Sequence, residues 1–211
     1  MTKNWTYMAD HDDLSVLDDN EKIEWMEGRV KKILLDPVRK FINDKTNNDL
    51  ALGVVTWICC AIDALGGFLD GDFERKRDGL VGRVLRFPFH KRTEGGSRQG
   101  FRKFVESYLE DIEPIKTKIY DEFRSGLSHG MVIKRGSVDG KLNNLYEERE
   151  RGQKIYYEVN PWLLFEKLET ASENYFKDLK KKGNIDLRKK FLGQFDQSYK
   201  FWINNPPKSK K

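Results

Sequence analysis

The chain is poor in the residues that staple or punctuate a structure. Its only cysteines among 211 residues are the adjacent pair Cys59 and Cys60. Adjacent cysteines form no CxxC metal or redox motif, and two do not make a disulfide framework, so reduced thiols within a core are expected. The six prolines are scattered, which leaves long uninterrupted stretches for helices and excludes collagen-like or mucin-like repeats. No hydrophobic run is long: the longest, 50–62, is interrupted by Thr56 and stopped by Asp63. It falls short of the roughly 20 residues of a membrane span and reads as a buried core helix. Residues 1–13 carry acidic side chains and Trp5 where a secretory signal needs a basic start and an apolar centre, so a cytoplasmic protein without membrane contact is expected. Histidine is scarce as well: His11, His90 and His129 are all there are. No metal-ligand cluster and no cofactor fingerprint stands out. The glycine-rich stretch 94–100 lacks the GK[ST] and the preceding strand of a phosphate-binding loop.

What the chain has in quantity is charge, unevenly placed. The net charge is +5, from 39 Lys and Arg against 34 Asp and Glu. Residues 1–28 nevertheless hold eight acidic residues against two lysines, whereas 74–103 hold ten basic residues against three acidic ones. The basic stretch includes Arg75, Arg77, Arg83, Arg86, Lys91, Arg92 and Arg98, with Phe87, Phe89 and Phe101 interleaved. Cations of this density can follow a nucleic-acid backbone while the aromatics stack on bases. A solvated helix face, or a counterweight to the acidic segment, is the other reading of the same residues.

Apolar positions at three- and four-residue steps predict helices over 20–35, from about Asn47 to Leu69, over 101–112, over 115–127, over 161–179 and over 185–202. Asp18 or Asp19 caps the first, Asp36-Pro37 opens a second helical piece, and Asn160-Pro161 caps a later one. The runs 131–133 and 154–159 are β-prone and predict a small hairpin after the 115–127 helix. The expected architecture is mainly α, one helical domain over 1–205. It has an acidic arm at 1–18, a mobile basic, glycine-rich loop at 90–100 and a disordered basic tail at 206–211.

The chemistry concentrates at one helix end. In Tyr120-Asp121-Glu122-Phe123-Arg124-Ser125-Gly126-Leu127-Ser128-His129-Gly130, a histidine follows an arginine by five positions and Gly130 supplies the helix stop. Five residues turn an α-helix by about 140°, so the two side chains converge only near a helix end or across a subunit contact. A histidine in the last turn sits at the negative end of the helix dipole, which favours its protonated form. Arg124 can hold a phosphate through two parallel hydrogen bonds. Without that arginine, His129 would read as a structural C-cap bonded to a carbonyl.

The segment resembles the R-x4-6-H motif of the HEPN superfamily of helical nucleotide-binding domains, with Tyr120, Phe123 and Gly130 fitting the surrounding pattern and 58–69 resembling the acidic-bearing core helix that packs against it. The resemblance implies a HEPN-like helical bundle and a metal-independent endoribonuclease whose composite site is shared by two subunits, of the toxin or antiviral-defence kind. It implies Arg124 and His129 as catalytic residues with Ser125 beside them, RNA as substrate, a homodimer, and an antitoxin or defence partner. Ser125 departs from the Asn, Asp or His usual in catalytic members, which leaves open a non-catalytic module that binds nucleic acid, a nucleotide or a protein partner. Asp63 is the supporting candidate: buried among apolar residues it needs a partner, for which Arg124 or His129 is proposed, whereas near solvent it needs none.

Overall fold

The computed structural model describes residues 14–42, 50–70, 94–124, 136–200 and 204, with Arg124 described by its backbone alone. It is mainly helical with a small three-stranded sheet. Helix α1 spans Asp19–Arg29 and begins with a reciprocal capping box. Asp18 accepts from the amides of Asn20 and Glu21 at 2.8 Å, and the Glu21 carboxylate accepts from the Asp18 amide at 3.1 Å.

A second, short helical piece does begin at Asp36-Pro37, but Asp36 is itself helical, at φ −60° and ψ −37°, and is not an N-cap. The chain runs through a π-wound segment, Val30–Leu35, into α2, Asp36–Ile42. Pro37 has no N–H for the Ile33 carbonyl. The preceding turn is widened, so that the Asp36 amide donates to Lys31 five residues back. The indole of Trp57 then donates to the Leu34 carbonyl at 2.8 Å, supplying a partner from another helix.

Helix α3, Ala51–Asp70, is the centre of the fold and packs against α4 (Glu94–Tyr108), α6 (Pro161–Lys180) and α7 (Ile185–Ser198). The helix ends at Asp70, close to its expected end at about Leu69; although the apolar run stops at Asp63, the whole helix is by length and composition able to cross a membrane. Its buried face, Val54, Val55, Ile58, Ala61, Ile62 and Leu65, is instead part of the protein core. Of the two thiols only Cys59 lies in that core; Cys60 is exposed, because neighbours on a helix point about 100° apart.

Residues 94–100, expected as a loop, form the first turns of α4. Gly100 serves packing. A Cβ on Gly66 would lie 2.3 Å from the Gly100 carbonyl oxygen, and one on Gly100 would lie 2.8 Å from that of Gly66. The two helices therefore cross backbone against backbone, which any side chain would prevent. Residues 90–93 of the expected loop, residues 1–13 of the expected arm at 1–18 and the tail at 206–211 lie outside the described residues; the rest of the arm includes a 3₁₀ turn, Leu14–Val16.

A 3₁₀ turn at Glu110–Ile115, containing Pro114, leads into α5, Lys116–Lys118, and a second π-wound segment, Ile119–Arg124. The hairpin is present with a different partner. Strand β3, Lys154–Val159, pairs antiparallel with β2, Tyr146–Arg151, and parallel with β1, Gly136–Val138. The run 131–133 lies outside the described residues. Gly152, at φ 65°, opens the two-residue hairpin loop. Helix α6 is capped by Asn160, whose side chain accepts from the amides of Trp162 and Leu163 and donates to the Leu142 carbonyl at 2.6 Å, tying the connection between β1 and β2 to the start of the helix.

Two stability predictions arise here. Tyr175 is fully buried against Phe104, Tyr108 and Phe176, and its hydroxyl has no hydrogen-bond partner among the described residues. A buried unsatisfied hydroxyl costs roughly 1–3 kcal/mol, so Tyr175→Phe is expected to leave the thermal midpoint unchanged or raise it. Burial alone would raise the pKa of Glu27, but the ammonium groups of Lys180 and Lys31 outweigh it and hold the carboxyl below its ordinary range. A depressed carboxylate contributes stability that is present above its unfolded pKa and lost as pH falls through the folded one. Glu27→Gln is thus expected to lower the urea midpoint at about pH 7, and the difference is expected to shrink progressively as the solution is acidified through the folded pKa of the carboxyl.

Candidate functional site

The segment leading to the motif is anchored on several sides. Ile119, Tyr120 and Phe123 are buried, and the segment packs on α3. Tyr120 meets Phe101 of α4 edge to face, with ring centroids 5.1 Å apart. Just before it, the Lys118 ammonium lies 6.0 Å from the Tyr157 ring of β3. Where the spacing predicts a regular helix, 119–124 is π-wound. Such turns occur mostly as single-turn bulges, frequently at functional sites. Arg124 is its last residue.

Of the predicted catalytic set, Arg124 is placed by its backbone at the end of this segment, and Ser125 and His129 lie outside the described residues. Asp63 is on α3, partly exposed rather than fully enclosed, so burial among apolar groups does not by itself demand a partner for it. Among the predicted RNA-contacting residues, Arg75, Arg77, Arg83, Arg86, Lys91 and Arg92 also lie outside the described residues. Arg98 is described and sits beside the motif segment: its Nη2 donates to Asp121 Oδ2 at 2.7 Å, and its guanidinium lies 6.0 Å from the Tyr120 ring centroid. Among the described residues Arg98 Nε is shielded and has no hydrogen-bond partner, and neither has the shielded Glu122 Oε2 of the motif segment.

Arg98 belongs to a stripe. With Gln99, Arg102, Lys103 and Glu106 it lines an open groove along α4. These positions recur at three- and four-residue intervals and share one helix face, while Phe101, Phe104 and Val105 face the core. Lys103 donates to the nearly buried Asp70 at the end of α3, and Lys116 bonds to Glu106. That ammonium holds the Glu106 carboxyl below its ordinary range, against a smaller opposing effect of burial. Arg102 is exposed and makes no ion pair among the described residues.

Sequence reasoning does not single out Arg102 and Lys103, although both fall in the basic stretch. Their signal is the four-residue spacing of Arg98, Arg102 and Glu106, which is visible only once 94–100 is read as helix. No protein-family model, curated protein or solved structure matches the chain.

Proposed function

We propose that the chain is a HEPN-like, metal-independent endoribonuclease that acts as a homodimer, with Arg124 and His129 as its catalytic residues. The carrying observation is the Arg124-to-His129 spacing, which starts from the end of a helical segment anchored to the core and flanked by the basic face of α4. RNA brings its own nucleophile, the ribose 2′-OH. In the proposed reaction the His129 imidazole accepts the 2′-OH proton, the 2′-oxygen attacks the adjacent phosphorus, and the bond to the 5′-oxygen breaks. A protonated imidazole from the second subunit gives that oxygen its proton, and the Arg124 guanidinium stabilises charge on the phosphoryl oxygens. The products are a 2′,3′-cyclic phosphate and a 5′-hydroxyl. Two histidines are needed and each subunit supplies one, which is the reason for a twofold dimer.

The reading fits a cytoplasmic toxin or defence enzyme held in check by a protein partner. Its test is incubation of the purified protein with generic RNA in chelator, beside Arg124→Ala and His129→Ala. Ser125 favours a second reading, a binding module of the same fold that retains RNA without cleaving it. Retention with no products from the wild-type protein supports that one.

A further inference from the structure

We propose that the groove along α4 lined by Arg98, Gln99, Arg102, Lys103 and Glu106 is the track that holds the phosphodiester backbone of single-stranded RNA on its way to the Arg124 segment. The proposal rests on the ribonuclease reading for the identity of the polymer, and on the following geometry for the place.

Successive members of the stripe four residues apart are separated by about 6 Å along the helix axis, so its cations form a line rather than a point. Three cations line the groove against one carboxylate. Two of the cations are already engaged at one end of their donor sets, Arg98 by Asp121 and Lys103 by Asp70. This fixes where their remaining N–H donors sit. An ammonium keeps two further donors after one bond and a guanidinium keeps four. Arg102 between them is exposed and makes no ion pair among the described residues, so it is the cation with least to give up when a phosphate arrives. Its planar fork matches a phosphate's paired oxygens.

The direction of the track follows from Arg98. The Arg98–Asp121 pair joins the groove to the motif segment three residues before Arg124, and the same guanidinium faces the Tyr120 ring. A strand lying along Arg102 and Arg98 is thus delivered to the end of the motif segment. An acidic protein segment is the competing occupant of any basic groove. Against it stands the groove's position beside a segment read as a phosphodiester-cleaving site.

The test is binding of a fluorescein-labelled oligouridylate, followed by anisotropy, to the His129→Ala protein, which keeps the probe intact. Arg102→Glu and Gln99→Glu each place a negative charge in the groove without touching the core. Each is expected to weaken binding about tenfold at low salt, and Arg102→Glu is expected to flatten the dependence of log K on log salt by about 0.7 for each phosphate that is no longer neutralised. Glu106→Gln removes the groove's one carboxylate and is expected to tighten binding several-fold. Lys189→Glu, at an exposed position on α7, is expected to change it less than twofold.

Unchanged affinity in Arg102→Glu and Gln99→Glu, with far-ultraviolet circular dichroism as in the parent, overturns the groove while leaving the cleavage reading standing. Altered affinity in those variants, together with no cleavage by the wild-type protein, upholds the groove and overturns the enzyme. Displacement of the probe by polyglutamate as efficiently as by unlabelled RNA, at equal charge concentration, overturns RNA as the occupant and assigns the groove to an acidic protein.

Discussion

Gly66→Ala is expected to destabilise the protein by about 3 kcal/mol, enough to lower its unfolding midpoint steeply, while Gly53→Ala on the same helix is expected to stabilise it. Both changes give α3 the same intrinsic benefit, since alanine is preferred over glycine in a helix interior by roughly 0.8–1 kcal/mol. The surroundings decide the sign. A Cβ at Gly53 meets nothing within 4 Å, whereas at Gly66 it meets the Gly100 carbonyl oxygen at 2.3 Å, the carbonyl carbon at 2.5 Å and the Phe101 amide nitrogen at 2.9 Å. All three are backbone atoms of α4, so no side chain can rotate aside, and relief requires the helices to separate. Separation would loosen Phe101, Phe104 and Val105 from the core they share with Ile62 and Leu65. Urea unfolding of the two variants beside the parent checks this; equal midpoints for Gly66→Ala and Gly53→Ala would sink the close-crossing account.

The largest functional effect is expected at His129. If its imidazole moves a proton in the transition state, His129→Ala should lower RNA cleavage about 10²–10⁴-fold. Arg124→Ala should lower it about 10²–10³-fold by removing charge stabilisation. Arg124→Lys should recover little, because an ammonium does not reproduce two parallel donors. The wild-type reaction should proceed in chelator and leave 2′,3′-cyclic phosphate and 5′-hydroxyl ends, detectable by mass spectrometry of a defined oligonucleotide. A His129→Ala protein as active as its parent removes the proposed mechanism, and 5′-phosphate ends remove the internal 2′-OH as nucleophile.

Most helices are legible in the sequence because their apolar spacing is plain. Asp18 caps α1 and Asn160 caps α6 as their residue types predict, and α3 is the core helix its composition demands. Three features are hidden by the same physical fact, that a residue's local preference does not report its neighbours in space. Gly95, Gly96 and Gly100 read as loop, yet Gly100 is required small by Gly66 from another helix. Asp36-Pro37 reads as an N-cap and its proline, yet the widened turn before it and the Trp57 indole let helical winding run through Asp36. Strand β2, YEERER, shows no apolar alternation, and its place in the sheet comes from backbone pairing with β3. For the site, the Arg-to-His spacing is visible but the groove is not, since its stripe exists only on a helix that the glycines disguise.

Strand β2 forms one edge of the sheet, in the order β1-β3-β2. Five of its six residues are charged and of both signs, with Arg149 bonded to Glu147 at 3.2 Å and also paired with Glu158 on β3. An open edge with its row of amides and carbonyls is a template on which another chain can add as a strand. Glu147, Glu148, Arg149 and Glu150 make such an addition carry a row of charges out of water. The strand that looks least like a strand is therefore the one whose composition disfavours strand addition at its edge of the sheet.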